Sequence, residues 1–462
     1  MPIVHLHSLP VKARYKRKRR RRRRREPAAS KKRLAKRSEG KLIRRRAKLQ
    51  DKKRSGRRRG LRSKRLRRRR KSRLKLPRRR RIGRTLRRPL LELSPPIGYT
   101  STQDWLNQAK LTGYIPDPVY MEFHAGETAT LSDSRSADGS VVFPGLQETI
   151  APAYAGIIPN GRVWGADGAV LTPDNLLVAD VSIDFSKSGY DNHPVFHQWQ
   201  PHPVTYVPGT VACVTFCGSD NYFHWMYDVL TRFHLLRLSG IRIDKYIINH
   251  KGNLQFQYET LNLLGIPRER IIETHDRFHL KADRLVLTSI PAVRQYAKWS
   301  ADFLRDELML KYGLNNPNAG PKRIFVGRGN AGQRRPVNEA EVMNLLGPRG
   351  FHYYSLDDMS VRDQIQLFHS ADIIVAPHGA ALTNLTFCRP GTTVVELMNN
   401  NYAPGFYWRI SNYQGLNYYC ILCEGFARPG EDWAQPGALW IGGQDFVVDI
   451  NKLDSTLKTA GV

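Results

Sequence analysis

The chain has 462 residues, a formal net charge of +35 and a hydrophobic fraction of 41%, which suits a folded protein of two or three domains. Residues 1–90 hold 45 of the 75 Lys and Arg against three acids, so the rest of the chain, with 30 bases and 37 acids, is mildly acidic. The basic balance therefore describes a leader and not the folded part, and no run of roughly 18 apolar residues is present to span a membrane.

Residues 10–88 are expected to be disordered, because runs such as 19–25 and 67–71 repel themselves and offer almost nothing apolar to bury. Such a tail suits contact with nucleic acid, polyphosphate or an anionic membrane, where neutralised phosphates release counterions. It equally suits a solvated run with no partner. The stretch of about 7 to 15 apolar residues that marks a secretory signal does not follow its positive region. Five cysteines scattered through the chain fit a reducing compartment, and the expected location is cytoplasmic, with peripheral contact at the inner membrane face.

From residue 95 to about 206, Gly, Pro, Asp and Ser interrupt short apolar runs, predicting short strands and long loops. After residue 211 strands and helices alternate. Residues 211–216 predict a strand. Residues 220–239 predict a helix capped by Asp220, with Tyr222, Met226, Val229, Phe233 and Leu236 at helical spacing. Strands at 246–248 and 285–288 and helices at 257–264 and 299–312 follow, and residues 315–321 read as a linker.

Beyond it the pattern predicts strands at 323–326, 351–354, 373–376, 393–397 and 418–422. Helices are expected from Asn338 and Ser360, after His378 and at 406–413. Ser360 with Asp363, and Asn338 with Glu341, have capping-box spacing. The regular alternation implies an α/β class with parallel sheets, arranged as two facing Rossmann-like domains at 91–314 and 315–462 behind the 1–90 tail. Cys420 and Cys423 fall on one predicted strand, where alternation sends them to opposite faces, so core packing is expected rather than zinc.

Ligands of open parallel sheets bind at the carboxyl ends of strands. Three predicted strand ends carry the chemistry: Arg328, Arg334, Arg335, Asn338 and Glu339 after the first, His378, Gly379, Ala380, Thr383 and Asn384 after another, and Glu396 on a third. Gly379, Ala380 and Ala381 let a phosphate approach backbone N–H groups at a helix start, and the arginines add positive charge. Glu396 is expected to accept hydrogen bonds from a ribose diol. This set could hold a nucleoside diphosphate without a metal. Gly327, Gly329 and Gly332 also spell a dinucleotide fingerprint, with Asp357 further on. Arg334, Arg335 and Pro336, however, delay the helix that this fingerprint should open.

A second constellation, Asn221 to Arg232, places His224 and Asp228 four apart on one helical face, an arrangement for taking a proton from a hydroxyl, or an ordinary helix-steadying pair.

The block at 221–228, the block at 328–339 and the block at 378–396, in this order along the chain, resemble glycosyltransferase family 61, which includes plant xylosyl- and arabinosyltransferases, animal O-linked N-acetylglucosaminyltransferases and bacterial capsular polysaccharide enzymes. The resemblance covers residues 211–424. It implies a GT-B architecture and an inverting, metal-independent transfer from a nucleotide-sugar donor to a glycan or other hydroxyl acceptor, with Asp228 or His224 as base. No cofactor is expected. Two rival readings are a nucleic-acid-binding protein acting through the tail and an NAD(P)-dependent oxidoreductase.

Overall fold

The computed structural model describes residues 92–113, 119–185, 189–198, 201–252, 254–291, 297–426 and 443–462. The basic leader expected at 1–90 lies outside the described residues. Residues 82–462 form one contact unit containing two main sheets. No helix among the described residues is long and apolar enough to cross a membrane.

The first sheet has ten strands among the described residues. Its parallel heart runs, in spatial order, Ile271–Glu273, Lys245–Ile248, Thr205–Cys213 and His279–Thr288. That is half of a dinucleotide-type sheet, with the earliest strand third in line. The remaining strands depart from a Rossmann pattern. Ala153–Pro159 and Arg162–Trp164 both pair antiparallel with the ten-residue strand His279–Thr288, and carry the sheet on to Tyr120–Phe123 and to Ala169–Leu171. The fold class is thus mixed α/β, and the first half is more antiparallel than its sequence predicts. Within this sheet, among the described residues, only Arg162–Trp164 with Ala169–Leu171, and that strand with Leu177–Val178, are local hairpin-type pairs, which are antiparallel by necessity.

The second sheet follows the sequence pattern closely. Its order is His352–Tyr354, Arg323–Val326, Ile373–Pro377, Thr393–Asn399, Asn417–Phe426, all parallel, with Asp445–Val447 added antiparallel at the edge. Every residue of Thr393–Asn399 is buried, as a central strand covered on both faces must be. One face packs on helices Glu339–Leu346 and Ile450–Thr459 through Phe325, Val395, Ile421 and Leu453. The other joins the main core, which runs on into the first sheet. Cys420 belongs to one face and Cys423 to the other, as strand alternation requires.

An antiparallel hairpin, Thr128–Leu131 with Leu146–Thr149, comes from the first half of the sequence yet docks on the second sheet. Between its strands Arg135 pairs with Tyr419: its N–H donates to Tyr418 O at 3.0 Å and its carbonyl accepts from Cys420 N at 3.1 Å. Trp408 Nε1 donates to Ser132 O at 2.8 Å beside it.

Candidate functional site

The first strand of the second sheet, Arg323–Val326, lies between the second, His352–Tyr354, and the third, Ile373–Pro377. Strand order therefore reverses beside it, and such a reversal opens a crevice at the carboxyl ends. The loops leaving Arg323–Val326 and Ile373–Pro377 flank that crevice, and they carry Arg328 and the His378–Gly379–Ala380 turn.

Arg328, Ala380 and Ala381 line one cleft of about 1060 Å3, closed on the far side by Tyr222, Phe256 and Glu259 from the first half of the chain. Arg328 packs so tightly over Gly379 that a β-carbon there would overlap its Nη1. Its Nη2 donates to Gln333 O at 3.2 Å, and burial, then the neighbouring Arg334, lowers its pKa to about 10, so it stays cationic at neutral pH. Gly329 has φ +48, and a side chain there would strike Asp357, whose Oδ2 accepts from Asn330 N at 2.7 Å. Asp357 thus fixes the loop that presents Arg328. No helix opens within the glycine run, since the next one starts at Glu339.

The other sequence-predicted residues divide. Arg334 has φ 57, an uncommon backbone for a non-glycine residue, and its guanidinium lies 5.5 Å from the Tyr402 ring centroid. Arg335 lines a second cleft of about 790 Å3 with Arg328, and Asp445 offsets part of its charge at 3.3 Å. Asn338 turns elsewhere: Nδ2 donates to Val448 O at 2.9 Å and Oδ1 accepts from Val448 N at 3.0 Å, so its amide anchors the chain after the edge strand. It makes no N-cap bond, and the expected capping box with Glu341 is only a side-chain contact of 3.0 Å.

Glu396 departs from its expected role. It is 0% exposed, and its carboxylate meets His378 Nδ1 at 2.5 Å and Tyr418 OH at 2.6 Å. A carboxylate closed in by these two groups orients His378 and is not placed to take a ribose diol. Thr383 and Asn384 are also fully buried, in the 3-10 turn Ala380–Phe387. Asn384 Oδ1 accepts from Tyr222 OH at 3.0 Å while Nδ2 donates to Gln364 Oε1 at 3.0 Å and to Ala381 O at 3.1 Å. It fastens the two halves of the chain together.

That same fastening brings the second constellation to the first. Asn221, not Asp220, caps the helix, accepting from Phe223 N at 2.9 Å. After Tyr222–His224 the helix widens into a π-helical stretch, Trp225–Leu230, whose six residues are all buried. Such widenings recur at functional sites. His224 Nδ1 sits 2.8 Å from Asp228 Oδ2, with the histidine side chain 26% exposed and the aspartate 1%. The histidine is the exposed member of the pair, and a carboxylate on Nδ1 is an arrangement that fixes an imidazole's tautomer. Arg232, one turn on, is buried and donates to Thr288 Oγ1 at 2.9 Å and Cys213 O at 2.7 Å, which pins the helix to the first sheet. Phe223 stands 5.3 Å from His224 and 5.9 Å from Tyr407, and Tyr407 stands 5.0 Å from His378, so two aromatic rings in series link the two histidines.

Sequence reasoning missed Tyr418 and Glu259. Glu259 accepts from Val361 N at 3.0 Å and Arg362 N at 3.2 Å, occupying the start of helix Val361–Ser370 from the other half of the chain. No local signal marks a partner 102 residues away.

A mixed α/β fold with a cationic loop and a small-residue turn at the switch point of a parallel sheet defines a Rossmann-type protein with a ligand crevice. Residues 222–395, less than half of the chain, match the family model Glycosyltransferase 61. The chain is similar to a β-1,2-xylosyltransferase of Arabidopsis thaliana, 28% identical over 111 residues, 21% of each chain. It is also similar to β-1,2-xylosyltransferase RCN11 of Oryza sativa subsp. japonica, 31% identical over 71 residues, 15% of this chain and 13% of that one. The matches thus span about a fifth or less of these relatives' length. The solved bacterial iron-containing dodecameric glycosyltransferase TibC of enterotoxigenic E. coli aligns over 73% of this chain and 86% of its own. The identity is 9% and the TM-score 0.26, a likeness too slight to carry any argument.

Proposed function

We propose that the chain is an inverting glycosyltransferase of GT-B type that takes its sugar from a nucleotide-sugar in the crevice of the second sheet and passes it to an acceptor hydroxyl in glycan synthesis. The observation that carries this reading is the close seat of Arg328 over Gly379, beside the Ala380 and Ala381 backbone, at the switch point. A diphosphate there would meet a held guanidinium and backbone amides, the groups that stabilise a departing phosphate without a divalent ion. Arg334 and Arg335 add charge at the crevice mouth. His224, held by Asp228, would take the acceptor proton as the hydroxyl attacks the anomeric carbon opposite the diphosphate. The family match and the two xylosyltransferase relatives support transfer of a pentose or hexose.

A thermal-shift panel of UDP, GDP, NAD and NADP, with and without EDTA, tests the donor side. Stabilisation by a nucleoside diphosphate that EDTA leaves intact is expected. Stabilisation by NAD or NADP alone, or loss of the UDP and GDP response in EDTA, overturns it. The anomeric configuration of the product, read by NMR, tests inversion.

A further inference from the structure

A third cleft, of about 720 Å3, lies in the first half of the chain. The loop Gly165–Ala166–Asp167, at the tip between strands Arg162–Trp164 and Ala169–Leu171, forms one wall. Asp184, His193 and Gln198 form the other. Asn249 Nδ2 and Thr274 Oγ1, at the carboxyl ends of two parallel strands of the first sheet, both donate to Ala166 O, which ties this cleft to the end where His224 stands. The residue after Asp184 is Phe185, 60% exposed. Its ring centroid is 5.5 Å from His224 and 5.5 Å from Phe216. Cys217, next to Phe216, registers the same closeness: burial, with Asp167 and Asp184 nearby, pushes its thiol up to about 11.

A phenyl ring beside the candidate base offers a flat apolar face to whatever approaches that base. The C–H face of a pyranose is such a surface, and its hydroxyls are donors for carboxylates and an amide. We propose that this cleft is the acceptor subsite, with Phe185 as the platform on which a neutral saccharide ring lies so that one hydroxyl reaches His224. The inference deepens the transferase reading and rests on it. Its lining is acidic on balance, with Asp184 and Asp276 beside an Asp167 that Lys251 pairs at 2.8 Å, and this sets it against anionic acceptors, since like charges brought into one cleft repel.

The test uses the full chain with chitobiose, xylobiose, mannobiose and digalacturonate as probes in saturation-transfer NMR, and UDP in calorimetry. At least one neutral disaccharide should bind with saturation on its ring protons, and digalacturonate should not. Phe185→Ala should weaken that binding about tenfold and Phe185→Trp should retain it, with UDP affinity and melting temperature unchanged. Phe185 is exposed, so truncation does not threaten folding. Binding of no neutral disaccharide, or equal binding by Phe185→Ala, overturns the subsite. Failure of the wild-type chain to bind any nucleoside diphosphate sinks the donor reading by a separate measurement.

Discussion

The Arg328 guanidinium occupies the space that a side chain on Gly379 would need, so the residue that supplies charge and the residue that makes room for it are one device shared by two loops. Gly379 has φ 176, an extended backbone open to any residue, so its role is space alone.

Gly379→Ala should therefore fold, because the far end of Arg328 can swing aside, but it should lose the charge at the crevice. UDP affinity is expected to fall about 10- to 100-fold, the worth of one charge-assisted hydrogen bond, with a melting shift below about 3 °C. Calorimetry and a thermal melt on the same sample check both halves, and unchanged affinity would remove Arg328 from the phosphate site.

Asp228→Asn keeps the shape beside His224 and removes the carboxylate that holds its ring. Turnover should drop about 100- to 10,000-fold, with donor affinity within about twofold of wild type. His224→Gln should match it, and the double variant should be little worse than either, since the two act as one unit. Steady-state kinetics on the three variants decides, and a turnover that survives Asp228→Asn ends the base assignment.

Asn384 was read from the sequence as a donor-binding residue, and its three buried hydrogen bonds give another expectation. Asn384→Leu should destabilise the chain by about 2 to 4 kcal/mol, because the Tyr222 hydroxyl and Gln364 Oε1 lose the bonds that Asn384 makes to them. Tyr222→Phe should cost about 1 kcal/mol. Urea melts measure both.

Acid should weaken the fold through a stacked trio. The His124 ring lies 4.7 Å from Trp299, His234 lies 5.6 Å from it, and the two imidazoles are 5.7 Å apart. Burial lowers both imidazole pKa values below 6.5, in His234 with help from His124 and Arg237, while Glu127 and Glu307 act the other way. The unfolded chain then binds protons that the folded one refuses, so stability is whole above about pH 6.5 and declines as pH falls below it. His234→Phe should flatten that decline in melts taken between pH 7 and pH 5.

Cys423 and Cys217 should resist iodoacetamide at pH 8, since burial first of all pushes their thiols up to about 12 and about 11. The free cysteines Cys213, Cys388 and Cys420 are buried as well. Mass spectrometry should show full alkylation only after denaturation.

The second sheet was legible because its strands are continuous apolar runs bounded by Gly, Pro and Asp, so Arg323–Val326 and helix Phe406–Tyr413 fall where the pattern puts them. Pairing across the sequence was not legible. Nothing near Glu396 announces that Tyr418, on the neighbouring strand, will close its second oxygen. Nothing near Asn221 favours it over Asp220 as the cap, because both are good capping residues and only helix register chooses. The antiparallel half of the first sheet rests on strands of two to seven residues, too short for periodicity to declare partners.

The hairpin whose Arg135 zips against Tyr419 also governs how this molecule can be cut. A fragment started at the 315–321 linker would bare the Tyr418 carbonyl and Cys420 amide on one edge of their strand and leave the Trp408 indole without its acceptor. Bare edges of that kind invite intermolecular pairing. A workable excised second-sheet unit must bring residues 128–149 with it, by fusion or by permuting the termini.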